Sequence, residues 1–175
     1  MYSEWGQVQE SDMRLLHGSN IEIRQPDLRM CKSNNDFGRG FYLTPQWQRA
    51  FLMAKRRAGR DGGNPVVNAF LFNEIKALKA GLKIKRFKGF SSEWARFVIY
   101  NRTDRNFRHD YDIVIGPVAD TFVDKEIERH RLKYGTGYLE TEALLDFAEH
   151  VSQFGDDYEQ YCFTTGESIS KLIRE

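Results

Sequence analysis

Gly38-Arg39-Gly40-Phe41-Tyr42-Leu43-Thr44 is the stretch on which the reading of this chain turns. Two glycines stand directly before a run with strand character, and glycine in such a place marks a turn or a close approach to the backbone. A tyrosine in a strand is most often a core residue with its hydroxyl at the edge, but these glycines give it a second possible use. Upstream, His17-Gly18-Ser19 again sets a polar ring beside a glycine. Lacking a side chain, glycine lets a ligand reach its N–H and C=O. Gly18 can offer an in-plane donor and acceptor to a carboxamide, His17 can bond a hydroxyl beside it, and Tyr42 can pack on a flat ring. Gly-Arg-Gly is not the dinucleotide fingerprint of doubly wound folds, because the third glycine and the long helix that follows it are missing.

Working outward, Arg14 to Gly18 reads as a short buried strand entering a turn. Ile21 and Ile23 alternate with polar residues and could continue the sheet. Pro26 to Asp36 is loop-like, and Phe41 to Thr44 is a second short strand. Thr44-Pro45 reads as a hydroxyl cap followed by proline at the first helical position. That helix should run through Arg57 with Phe51 and Ala54 inward, a basic last turn, and Gly59 ending it. Residues 61–65 form a turn. Strands are expected at Val66 to Phe72 and Leu82 to Phe87. Ser91 or Ser92 should cap a helix bearing Trp94, Phe97 and Val98. Tyr111 to Ile115 is the most strand-like stretch, ended by Gly116-Pro117. Helices near Thr121–Tyr134 and Glu140–Phe154 lead to a short strand at Gln160 to Phe163. Thr164-Thr165-Gly166-Glu167 fits a capping box, with Thr164 as cap, before a closing helix bearing Ile169, Leu172 and Ile173. The strands do not alternate regularly with helices, which makes the class α+β.

The 175 residues, 41% hydrophobic and 14% aromatic, suffice for one domain with a real core. A formal charge of +1 provides no global field toward nucleic acid or membrane. The basic runs Lys55-Arg56-Arg57 with Arg60, and Lys83 to Lys88, read as a solvated helix end and a charged edge strand, or as a patch that attracts substrate phosphates. Cys31 and Cys162 fit no metal spacing and read as reduced cytosolic thiols. His17, His109, His130 and His150 form no close pair of the zinc-site kind. No segment approaches a membrane span, and Met1 to Glu10 lacks an apolar signal core, so a cytoplasmic location is expected.

The two glycine motifs resemble the first two active-site motifs of the ADP-ribosyltransferase superfamily, in the branch shared by diphtheria-type toxins and poly(ADP-ribose) polymerases. A closer similarity is to a small bacterial family of uncharacterised domains placed in that superfamily. It covers Asn35-Asp36-Phe37 through Thr44, Tyr111 through Ala119, and Gln160-Tyr161-Cys162-Phe163-Thr164-Thr165, and so nearly the whole chain from Leu16 onward. The resemblance implies a single domain over 1–175, with 1–12 as an N-terminal extension. It implies two small, packed, antiparallel-rich sheets flanked by helices. It also implies that NAD is a co-substrate, that no metal is needed, and that ADP-ribose is transferred to a protein or nucleic-acid acceptor. Many relatives look like toxins of toxin–antitoxin pairs, which implies a cognate antitoxin as a partner; no membrane is involved.

Carried over to this chain, the resemblance gives His17, Tyr42 and Gln160 catalytic roles: orienting the ribose, stacking on nicotinamide, and holding a ribose hydroxyl. Gly18, Ser19, Asn20, Arg39, Gly40 and Met53 become NAD-binding candidates, with Phe51 able to replace Met53 and Arg24 a weaker phosphate ligand. The family's late glutamate is Gln160 here, with Glu159 beside it. Glutamine can hold a hydroxyl but supplies no negative charge to an oxocarbenium-like centre. Neighbouring strand residues face opposite ways, so only one of the two can face the pocket. The Gln-x-x-Phe-x-Thr pattern favours Gln160; a one-residue slip would present Glu159 instead, with Asp157 two positions ahead. Trp94, Phe97, Asn101, Arg102, Asp112 and Asp120 read as structural.

Overall fold

The computed structural model describes residues 11–119 and 122–175, and the side chains within those ranges except at 156 and 157. Asp120, Thr121 and the 1–10 segment, all read from sequence above, lie outside the described residues, as does the Asp157 side chain.

Among the described residues, seven strands form two sheets. The first orders β1 (Met13–Ser19), β3 (Val66–Phe72) and β7 (Ile173–Arg174), all antiparallel. The second orders β2 (Phe41–Leu43), β6 (Asp156–Phe163), β5 (Ile113–Val118) and β4 (Ile84–Arg86). Only the β4–β5 pair is parallel. The helices are α1 (Trp47–Asp61), α2 (Glu74–Lys79), α3 (Ser92–Thr103), α4 (Val123–Tyr134), α5 (Thr141–Ser152) and α6 (Gly166–Ile169). The α+β class is as expected.

Side-chain alternation sorts the strands into layers. Leu15, Phe41, Leu43, Phe70, Phe72, Ile113, Ile115, Tyr161 and Phe163 form one buried cluster drawn from both sheets, so the sheets pack face to face. From the far face of the second sheet, Val114 and Cys162 join Trp94, Val98, Ile99, Ile127, Leu144 and Phe147 of α3, α4 and α5. On the outer face of the first sheet, Leu16 and Ala69 meet Ala50 of α1. The resulting order is α1, first sheet, second sheet, then α3 to α5.

Several local expectations need correction. Ile21 and Ile23 do not extend the sheet: the buried Asn68 side chain donates to Ile21 O and accepts from Ile23 N, and so takes the backbone groups a ladder would use. Helix α1 starts at Trp47, because Thr44 is tied back to β1 and its hydroxyl accepts from Gln46 N. That helix runs through Gly59 to cap at Gly62, burying Ala50 and Ala54 while Phe51 stays exposed. Gly116-Pro117 lies inside β5, whose register shifts only after Pro117. Helix α2 had no counterpart in the sequence reading. The last cap is Thr165 with Ser168 closing the box, because Thr164 spends its hydroxyl on the Tyr111 carbonyl at 2.6 Å. The expected closing helix stops at Ile169, and Ile173 pairs with Leu71 in the first sheet. No helix among the described residues is long and apolar enough to cross a membrane.

Candidate functional site

Besides the packed core between them, the two sheets are joined among the described residues by one backbone bridge. Leu16 and Thr44 exchange both backbone bonds, Leu16 N to Thr44 O at 2.8 Å and Thr44 N to Leu16 O at 2.9 Å. In an antiparallel ladder the next such pair would be Gly18 with Tyr42. That pair is not made. The Tyr42 carbonyl instead meets His17 Nδ1 at 2.7 Å. Strands β1 and β2 therefore part beyond Leu16–Thr44, with the imidazole wedged at the split. Since the Leu16 groups point toward β2, backbone alternation sends the Gly18 N–H and C=O the same way, into the split.

The state of His17 follows from its surroundings. Its ring stacks on Phe41 with centroids 4.4 Å apart. A carbonyl can only accept, so Nδ1 carries a proton and donates to Tyr42 O. Burial pushes the imidazole pKa below its usual value and outweighs the Tyr42 carbonyl, and the nearby Arg57 charge adds to the lowering. Neutral His17 thus leaves Nε2 as an acceptor. Arg57, read in sequence only as part of a basic helix end, is a cation whose charge acts on it.

The glycines of both motifs are close-packed by protein atoms. A Cβ on Gly18 would overlap the Ala50 carbonyl oxygen and lie 2.6 Å from the Ala54 amide nitrogen, so α1 seats its backbone directly on β1 there. Gly38 has φ +82°, and a Cβ would lie 2.6 Å from Asn101 Oδ1. At Gly40, the Cys162 sulfur and Phe163 carbonyl occupy the space a side chain would need. The close approach read from sequence is here an approach by protein atoms; the in-plane groups of Gly18 remain directed into the split.

Tyr42 lies on the helix side of the second sheet. Its hydroxyl donates to Gly38 O at 2.8 Å and accepts from Phe37 N at 3.0 Å, locking the glycine loop. Burial raises its pKa well above the ordinary phenol value, and burial likewise raises that of Cys162. Neither ionises near neutrality, which removes both as nucleophiles. Tyr42 as a whole residue is half-buried.

The frame of β6 is set by its pairing. Tyr42 faces Cys162 across the ladder, and Tyr161 and Phe163 point into the inter-sheet core. Gln160 therefore shares the face of Tyr42 as its diagonal neighbour. Glu159 points the other way and joins Arg86, whose guanidinium also holds Glu74 at 2.7 Å.

A buried carboxylate behind this face escaped the sequence reading. Asp36 accepts from Gln160 Nε2 at 3.1 Å, from Ala119 N at 3.1 Å, and from Arg102 at 2.6 and 3.0 Å. The Gln160 amide nitrogen is thus engaged, while its carbonyl oxygen accepts no hydrogen bond among the described residues. Asp36 and Arg102, from the loop and α3, fasten the glycine motif to β6. The available signal was an acid in the Asn35-Asp36-Phe37 run with an arginine on a capped helix, and a single sequence does not pair them.

The remaining candidates are dispersed. Ser19 is buried and accepts from Ile21 N at 3.4 Å. Asn20 donates to Gly62 O at 2.9 Å, tying β1 to the end of α1. Arg39 is exposed and donates to Cys31 O at 3.0 Å, and Arg24 sits exposed beside Glu22. Met53 and Phe51 are exposed on α1. Among the described residues, none of these is hydrogen-bonded to or stacked on His17 or Tyr42. A depression of about 480 Å³ lined by Gln25, Pro26, Asp27, Leu28, Arg29, Gly166 and Ile169 includes none of the site candidates. Its charged pair, Arg29 with Asp27, is self-neutralised.

A family model described as protein of unknown function (DUF3990) matches residues 13–173. The chain belongs to this family. No curated protein and no solved structure matches it. The DUF3990 match opens on the first residue of β1 and reaches β7, so it takes in both sheets and every residue of the split.

Proposed function

We propose that this DUF3990 protein is an ADP-ribosyltransferase-like enzyme that binds NAD in the split between β1 and β2. It breaks the nicotinamide–ribose bond and transfers ADP-ribose to a macromolecular acceptor. The observation that carries the reading is the interrupted ladder: Leu16 pairs with Thr44, Tyr42 O is taken by the His17 ring, and Gly18 is left with a donor and an acceptor aimed into the gap. A carboxamide has the complementary pair, and the nicotinamide ring would then lie by Tyr42.

The chain's own groups divide the work. His17 Nε2 accepts from a ribose hydroxyl, which fixes the sugar. Gln160, with its nitrogen on Asp36, presents its carbonyl oxygen to a second hydroxyl. In the reaction the C1′–N bond breaks and its electron pair leaves with nicotinamide. A lone pair of the acceptor forms the new bond at C1′, and the acceptor's proton passes to solvent. The support from this face is positioning and dipolar stabilisation rather than a carboxylate charge. Asp36 accounts for the glutamine: a glutamate at 160 would set a second carboxylate against a buried one and lose the hydrogen bond.

The reading extends to a cytoplasmic toxin held by an antitoxin, since the resembling relatives look like such toxins. The test is incubation with NAD labelled in its adenylate half, with and without cell lysate, beside His17→Ala and Gln160→Ala. Label on a macromolecule, with nicotinamide released and both effects lost in the variants, is the expected result. NAD binding without turnover would reduce the protein to a binding module, and no NAD binding would overturn the site.

A further inference from the structure

We infer that the outward face of α1 is a docking surface for single-stranded nucleic acid, which names the acceptor class of the proposed transfer and to that extent rests on it. Helix α1 carries five cations, Arg49, Lys55, Arg56, Arg57 and Arg60, against one acid, Asp61, a net +4 in a chain whose total is +1. Its first turn holds no acid. The buried face is made of Ala50 and Ala54 and is spent on β1. Flanking that face, one turn apart on a single row, run Trp47, Phe51 and Lys55. Trp47 and Phe51 are exposed and stack nearly parallel, with centroids 6.0 Å apart and planes 9° from each other.

One turn on, Lys55 Nζ lies 4.8 Å from the Phe51 ring centroid. Arg56 follows on the adjacent stripe behind the exposed Leu52. Among the described residues neither Lys55 nor Arg56 has an acid within ion-pair distance, whereas Arg57 and Arg60 share Asp61.

Exposed rings interleaved with unneutralised cations suit a polyanion whose bases can stack. A duplex hides its base faces and so leaves the aromatic pair unused. A protein partner would use the same aromatics and arginines; what favours the polyanion is the pair Lys55 and Arg56 standing beside the rings with no acid within ion-pair distance among the described residues. The position also fits. Gly18 touches the backbone of α1 at Ala50 and Ala54, so a strand lying along this helix runs within about a helix diameter, roughly 10 Å, of the split.

The test is fluorescence anisotropy with a short mixed-sequence single-stranded RNA, its DNA counterpart, the same RNA as a duplex, and polyglutamate, all without NAD. Both single strands, or one of them, should bind more tightly than duplex or polyglutamate. For about three phosphates neutralised, log K should fall against log salt with a slope near −2. Lys55→Ala with Arg56→Ala should flatten that slope by about 1.4. Trp47→Ala should weaken binding about tenfold or more with the slope kept. Thermal melts of the variants should match the wild type, as these are surface positions. Trp47→Ala should bind NAD as the wild type does, so a failure here is separable from a failure of the NAD site. No binding at low salt, or equal binding of polyglutamate with Trp47→Ala silent, overturns the inference; the second result assigns the face to an acidic protein.

Discussion

Replacing Asp36 by alanine should destabilise the fold more than any other single loss of a polar side chain at the site. The carboxylate holds Arg102 through two nitrogens, the Ala119 N–H and the Gln160 amide, and its own side chain is only 6% exposed. Its removal leaves a guanidinium, 19% exposed, without its main counter-charge. Removing one partner of such a pair costs about 3–5 kcal/mol, chiefly for the charge left behind. Arg102 also reaches Asp124 at 3.3 Å, which relieves part of the penalty and favours the lower end, about 3 kcal/mol. For a chain of this size that lowers Tm by about 6–12 °C. Circular dichroism melts measure it directly. The decisive comparison is Asp36→Ala combined with Arg102→Met: with no orphaned charge, the double variant should be more stable than Asp36→Ala alone by about 1–2 kcal/mol. If Asp36→Ala melts within about 2 °C of the wild type, or if the two losses simply add, the hub is not the buried charge pair described here.

Three further outcomes follow from the same geometry. Gly18→Ala forces a Cβ into the α1 backbone and should cost about 1–3 kcal/mol or more, whereas Gly59→Ala, in helix with open space around it, should stabilise by up to about 1 kcal/mol; chemical denaturation distinguishes the signs. Burial lowers the His17 pKa, so its contribution to stability is complete above the unfolded-chain value of about 6.5 and is lost as pH falls below it. The acid-side slope from this group is at most about 1.4 kcal/mol per pH unit, and His17→Asn should flatten it in pH-dependent melts. Glu159→Gln should leave NAD turnover within a few fold, because Glu159 faces Arg86 and Glu74. Gln160→Ala should lower kcat about 100-fold or more if its carbonyl oxygen stabilises the reacting sugar; equal losses in both would put the β6 frame in error.

The fold class was legible because alternation and capping are local. Of the two caps read for α3, Ser91 or Ser92, the structure uses Ser91, and Val66–Phe72 is the strand its composition implies. Where the reading slipped, a distant group had claimed the local signal. Thr44 looked like a helix cap but is held by Leu16, Thr164 looked like a cap but bonds Tyr111, and the Ile21–Ile23 alternation is cancelled by Asn68. Phe51 was placed inward on periodicity, yet Gly18 admits only the small faces of Ala50 and Ala54. The β6 frame favoured by the Gln-x-x-Phe-x-Thr pattern, with Gln160 on the face of Tyr42, is the one the strand pairing gives. Asp36, Arg102 and Arg57 were not assigned their roles, because pairings across tens of residues leave no local pattern. The glycines were read for a ligand, although at Gly18 and Gly40 helix and strand fill the space.

The most direct test of the central claim is nitrogen-15 NMR of the His17 imidazole with and without NAD. In the free protein Nδ1 should be protonated and Nε2 bare, and NAD should shift the Nε2 resonance while the Nδ1 bond to Tyr42 O persists. Addition of NAD that leaves both His17 nitrogens unchanged would contradict the account and put any NAD chemistry outside the split between β1 and β2.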